Sequence, residues 1–390
     1  MERKHLTIGK DLTMQISFWK SIRNLVAAGL LGFGAMTAQA FDQQPTRLPS
    51  FDEVYQLNES TLVLGQTCTA AASCDAANTC GQAGGCGSGC DDDCDCIGNW
   101  RDNTQVWLGG ESYKSIGDSI GITPAIPFQI GLSNSFGLVT GFNTGLAIGD
   151  LKVRAQIGGS AAIYDLKGRD ILDPTVAEHQ AFVTAGFYKR SDICNCDRIS
   201  WGLVFDQFLG DQWGWAANSI NMGQFRGIAG YALNESNEVG VWGTFRAQSD
   251  TAVIFVGAIP TPIHTVNQAN TYWRHNWASG ASTMAYVGAA DKSDITSWLF
   301  GLTGQAPLNS RMSLYGNFVA ALPSSAAGGI GNLFAVPPGA PAVGASELQW
   351  NVSFGLMYSF GGKAYSSTVS GQQGLPLLPV ANNGSFLITN

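Results

Sequence analysis

Cysteine is the residue type whose spacing most invites chemistry in this chain of 390 residues. Cys68, Cys74, Cys80, Cys86, Cys90, Cys94 and Cys96 crowd one segment, and Cys194 and Cys196 form a separate C-N-C. Only small and polar residues lie between the seven, so that segment cannot build a core, and cross-links must hold its shape. Two chemistries fit: disulfides in an oxidising compartment, or a metal cluster helped by Asp91, Asp92, Asp93 and Asp95. No Cys-x-x-Cys pair and no nearby His supplies the usual zinc spacing, so disulfides are the expectation, with no metal and no cofactor. Nine is an odd number, which leaves one thiol free or paired with another chain.

Other reactive patterns are sparse. The histidines are His5, His179, His264 and His275, and no nucleophile motif, phosphate loop or metal-binding helix motif accompanies them. A hydrolase needs a nucleophile beside a base that a third group orients. His275 instead shares a strand face with Trp273 and Trp277, so the chain is not expected to be an enzyme. A net charge of −8 without a Lys/Arg cluster argues against nucleic acid as a partner. Five charges recur inside alternating segments, on their more polar faces: Glu111, Arg154, Asp206, Arg226 and Arg246. Facing a lumen, such side chains set ion preference, or they pair with one another and fill it.

What positions them is a period of two. From residue 103 onward about twelve alternating segments (ten to fourteen) can be read, at 104–114, 136–148, 152–165, 179–190, 199–209, 222–233, 237–248, 270–279, 282–290, 297–306, 311–321 and 348–361. In the third, Val153, Ala155, Ile157, Gly159, Ala161 and Ile163 share one face, and Lys152, Arg154, Gln156, Gly158 and Ser160 the other. Segments 127–131 and 253–257 are candidates for extra strands. A soluble sandwich also alternates, but segments of about ten residues match a tilted bilayer crossing. Aromatics near the strand ends (Trp107, Phe136, Trp201, Phe225, Tyr231, Trp298, Trp350, Phe360) suit interfacial girdles. Connections alternate between long and short, as in barrels with short periplasmic turns and long outer loops. The fold expected is all-β, an antiparallel transmembrane β-barrel.

The flanks complete the layout. Residues 1–40 read as an export signal: Lys20 and Arg23 precede an apolar run, and Ala38-Gln39-Ala40 offers a cleavage site. Met14 is a candidate start, and an uncleaved N-terminal anchor is the alternative. Residues 41–102 form an irregular periplasmic segment, 103–361 the barrel, and 362–390 a flexible tail with one apolar patch, Leu375 to Val380. The topology places both cysteine groups on the periplasmic side. A link between them is then feasible, and contacts of C-N-C with itself or another chain are the alternative.

The stretch S-F-G-L-M-Y-S-F, through Ser353, Gly355, Tyr358 and Phe360, resembles the terminal insertion signal of bacterial outer-membrane barrels. The Cys-rich segment ahead of a Gly-rich barrel resembles barrel proteins of planctomycete-type bacteria. The resemblance implies outer-membrane lipid and the barrel insertion machinery as partners. Cell-wall material, or another chain held through a free Cys, completes the expected set. In most such barrels the chain stops at the final aromatic. Here thirty residues follow Phe360, and they can fold back, enter the lumen or stay disordered. The function expected is a porin-like channel for small hydrophilic solutes. The alternatives are a structural or adhesion barrel tethered through its Cys-rich segment, and a secreted soluble β-sandwich adhesin.

Overall fold

The structure, a computed structural model, describes residues 100–115, 135–148, 152–166, 177–193, 197–214, 216, 218–254, 259–291, 298–322, 349–364 and 374–389. All nine cysteines, His5 and segment 127–131 lie outside these residues.

A short 3-10 turn, Trp100–Asn103, leads into the first strand. Seven strands follow in order, β1 (Thr104–Lys114), β2 (Ser135–Ala147), β3 (Arg154–Tyr164), β4 (Glu178–Lys189), β5 (Ile199–Asp211), β6 (Ile220–Ala232) and β7 (Asn237–Gln248). A hairpin, β8 (Asp250–Ile254) and β9 (Ile259–Thr265), precedes β10 (Gln268–Asn276), β11 (Ser282–Ala290), β12 (Trp298–Pro307), β13 (Met312–Leu322) and β14 (Gln349–Ser359), and β15 (Ile388–Thr389) ends the order. Twelve of these, β1–β7 and β10–β14, close into one antiparallel barrel. Closure is made by β1 on β14, with Gly109 opposite Gly355 and Glu111 opposite Ser353. That seam rules out the two-sheet sandwich, because a closed sheet has no free edges. Between β7 and β10, which pair directly, the hairpin β8–β9 is set aside to form a small sheet of order β15-β9-β8.

Period two decides which side each residue takes, and the usual globular sense is reversed. Leu138, Ile157, Phe187, Leu203, Val241, Phe300 and Phe354 stand exposed on the outside. Glu111, Gln156, Gln180, Asp206, Gln224 and Glu238 are buried inside. Short turns join the strands at one end. Two are built on asparagine: Asn234 Oδ1 accepts from the Ser236 and Asn237 amides, and Asn309 Oδ1 from those of Arg311 and Met312. Both ends of the barrel sequence, Thr104 and Ser359, lie at this short-turn end. The opposite, long-loop end carries the β8–β9 hairpin.

Two expectations are corrected here. Trp107 shares the parity of Glu111 and faces the lumen, packed against the interior cluster of Phe182 and Phe208, so it belongs to no outer girdle. The tail, expected to be flexible, is packed inside the barrel over residues 374–389, where Leu375, Leu378, Ala381, Phe386 and Ile388 are buried to 3% exposure or less. The candidate strand at 253–257 overlaps β8, and its partner β9 is an addition.

Candidate functional site

The lumen is the site, and the buried carboxylates of its wall are held by guanidiniums or by neutral donors. Asp206 on β5 is fully buried; Arg226 on β6 holds it, with Nε 2.9 Å from Oδ2 and NH2 donating 3.0 Å to Oδ1. Thr184 donates to the same carboxylate at 2.7 Å. Glu111 accepts from Tyr164 Oη at 2.8 Å and from the Asn351 and Asn383 amides. Glu178, on the neighbouring upper wall, accepts from Tyr113 and from Gln180 at 2.6 Å. Nearer the short-turn end, Glu238 receives Arg274 at 2.9 Å and Tyr272 Oη at 2.7 Å. Burying an ion without such partners would cost several kcal/mol, and this demand fixes the strand register.

Of the five charges expected to face the lumen, Glu111, Asp206 and Arg226 are buried on the inner wall, and Arg154 is half-buried near the short-turn end. Arg246 keeps the lumen parity, opposite the buried Gln224. Near the β6–β7 register shift at Gly223/Gln224 it is exposed at the long-loop rim, 3.9 Å from Asp291 and about one-third exposed.

The interior is occupied by the chain's own C-terminal segment. Its root lies at the short-turn end, where Tyr188 Oη donates 2.7 Å to the Gly374 carbonyl and Arg190 donates to the carbonyls of Leu375 and Pro376. Halfway up, the Leu378 carbonyl accepts from Asn143 at 2.9 Å and Gln156 at 2.6 Å, and the Pro379 carbonyl from Arg226 at 2.7 Å. Higher, the Ala381 amide donates 3.0 Å to Thr184, and Asn383 Nδ2 reaches Glu111, Tyr164 and Gln180. Phe386 then packs on Phe182 and Phe208, with centroids 5.8 and 5.5 Å away. At the long-loop end Ile388 pairs with Thr265 of β9. Two prolines explain the pattern: the segment cannot form a regular ladder at 376 and 379, so wall side chains satisfy its carbonyls.

The segment bonds mainly to β2–β6 and leaves beside it a cavity of about 320 Å³, whose wall includes Trp107 of β1, Trp242 of β7, Tyr286 of β11 and Val319 of β13. The cavity reaches the short-turn end at Gln105, Ser282 and Gln305. Above it Val266, Leu299, Ala321 and Leu387, each at most 5% exposed, form an apolar seal.

Charges at the short-turn end feel this geometry. Burial, followed by the nearby Arg274 guanidinium, lowers Arg190 to a pKa of about 10. Lys363, which donates 2.7 Å to Asn103, is lowered mainly by burial. Asp197 is raised by partial burial, but its bond to Lys189 and the charges of Lys189 and Lys152 outweigh this and hold it below the usual carboxylate range.

A family model matches residues 103–388, from the residue before β1 to β15. The chain belongs to that family, the Family of unknown function (DUF6666). The matched unit therefore contains the inner segment as well as the barrel. Among curated proteins, none matches the chain. Solved structures with a similar course include the outer membrane phospholipase A from Escherichia coli, at 10% identity and a TM-score of 0.37, covering 65% of this chain and 95% of that one. A TodX monoaromatic hydrocarbon channel mutant is similar at 11% identity and 0.36, covering 66% and 90%. The NanC porin is similar at 8% identity and 0.35, covering 65% and 98%.

Several interior residues were missed by the sequence reading: Glu178, Glu238, Arg274, Arg190 and Asn383. The first three, and Arg190 at the end of segment 179–190, lie within or at the edge of the predicted strands on lumen parity, which was a usable signal. Asn383 lies outside the barrel strands and had none. Ser353 and Gly355 lie on the inner side of β14; Tyr358 points outward and meets Phe360 edge-on at 5.2 Å.

Proposed function

We propose that this protein is an outer-membrane barrel offering a porin-like passage for small hydrophilic solutes, held shut at rest by its own C-terminal segment. The carrying observation is that the polar lumen is filled by a terminal segment and not by side chains of the wall. Such a filler can leave without breaking a strand pair of the barrel wall; the pair it gives up is β15 on β9, outside the barrel. The exposed apolar outer surface supports placement in lipid, since soluble proteins rarely leave so much greasy area uncovered. Outward Phe136, Trp298, Trp273 and Trp277 suit the two interfaces. Ser353, Gly355, Tyr358 and Phe360 would be read by the insertion machinery. No catalytic role is proposed.

A closed structural or adhesion barrel, tethered through the Cys-rich segment, is the second reading, favoured by the apolar seal at the long-loop end. Planar-bilayer recordings separate the two. The full chain should show discrete, intermittent openings, and a chain lacking residues 374–390 should conduct steadily. A full chain that stays silent while the truncated one conducts would sink the passage and leave the structural barrel.

A further inference from the structure

The cavity beside the inner segment has a chemistry that neither closing the lumen nor lining a pore requires. Its volume of about 320 Å³ is at the lower end of ligand pockets, roughly 300–1,000 Å³. Part of its wall is apolar, with Trp242 and Tyr286 edge-on at 5.0 Å and Met284 beside them. Arg190 and Arg274 line it near the short-turn end, and between them they have one carboxylate, that of Glu238. Among the described residues no acid is bonded to Arg190; it spends its donors on the carbonyls of Leu375 and Pro376. Trp242, 9% exposed and lining the cavity, has an indole N–H with no partner among the described residues.

We propose that this cavity binds a small amphipathic organic anion, with its acidic group at Arg190 and Arg274 and its apolar body against Trp242, Tyr286 and Met284. By taking the donors of Arg190, the anion frees the root of the inner segment from the wall. This second step rests on the reading of the segment as a movable plug; the binding step does not. A carboxylate is a better acceptor for guanidinium than an amide carbonyl, which gives the exchange its direction. Proximity of two guanidiniums, felt in the lowered pKa of Arg190, is relieved by the same anion.

The test uses the full chain in non-ionic detergent, titrated calorimetrically with 3-phenylpropionate. Saturable binding is expected. Arg274→Gln and Arg190→Gln should each weaken it at least tenfold, Arg274→Lys less, and Trp242→Phe a few-fold with the folded band on a gel intact. The neutral alcohol 3-phenylpropanol should bind at least tenfold more weakly. No saturable binding, or equal binding of the alcohol, overturns the site. Palmitate binding more tightly than 3-phenylpropionate overturns the small-solute assignment in favour of a membrane-derived anion. Amide exchange reads the second step without any conductance: ligand should speed exchange at Leu375, Leu377 and Leu378 several-fold and leave Ile388 unchanged. Unchanged exchange at Leu375–Leu378 under saturating ligand overturns the release.

Discussion

Asn383 concentrates the problem of the filled lumen in one side chain. Its amide contacts Glu111, Tyr164 and Gln180, so it ties the inner segment to β1, β3 and β4 at once. Asn383→Ala leaves Glu111 with Tyr164 and Asn351, and an unmet buried polar group costs about 1–3 kcal/mol. The expected result is faster amide exchange across residues 381–388 with the barrel strands unchanged. Asn383→Asp sets a second carboxylate against Glu111 and should loosen the segment further. At the short-turn end, Asp197 gives a pH signature. Its folded pKa is depressed, so its contribution is present above the unfolded value of about 3.9 and is lost as pH falls through the lower folded value. Unfolding midpoints of the parent should therefore drop below about pH 4, and those of Asp197→Asn should drop less. Single residues were legible wherever parity is rigid: Glu111, Asp206 and Arg226 follow from alternation alone. Trp107 obeys the same parity as Glu111, and only the habit of placing tryptophan in an outer girdle set it on the wrong side.

At the scale of elements, the strands were readable to within a few residues because two local signals coincide: the period of two, and turn chemistry at sites such as Asn234 and Asn309. The hairpin β8–β9 was half hidden by Pro260 and Pro262, since proline argues against a strand. The structure accommodates both prolines where β9 pairs only with β8; β15 takes up the other edge beyond them, at Thr265 and His264. Glycines within strands have a spatial reason in several places. A Cβ on Gly301 would run into the ring of Tyr286, and one on Gly240 would meet the Tyr272 ring and the Ala229 carbonyl. Inward tyrosines thus lie across glycines of neighbouring strands. Gly301→Ala should cost about 1–3 kcal/mol by overpacking, disturbing the Tyr286–Trp242 contact. Gly316→Ala, with its nearest atom 3.7 Å away at the Ser353 carbonyl, should stay within about 0.5 kcal/mol. Unfolding midpoints of the two variants in urea test the contrast, and equal midpoints would mean the glycines serve the backbone and not the rings.

For the whole molecule, the question is whether the inner segment builds the barrel or only occupies it. The sequence could announce a closed sheet with both ends at the short-turn side, because loop lengths and parity are local. It could not announce what fills that sheet: Leu375-Pro376-Leu377-Leu378-Pro379-Val380 has no strand period, and its partners are some two hundred residues away. In the backbone ladder the twelve wall strands pair only with one another, so closure does not require the segment. Truncation after residue 362 should therefore still give a heat-modifiable, folded band. Its unfolding midpoint should fall, since buried Leu375, Leu378, Phe386 and Ile388 would be lost along with the bonds to the wall. The fall should be smaller than the sum of those contacts. With the segment gone, water can reach Gln156, Gln180 and Glu111, and polar groups returned to water recover their solvation. Arg226 keeps Asp206 whether or not the segment is present. A truncated chain that never yields the folded band would place the segment in the folding core of the barrel, and a part needed to close the wall cannot also be the part that moves to open it.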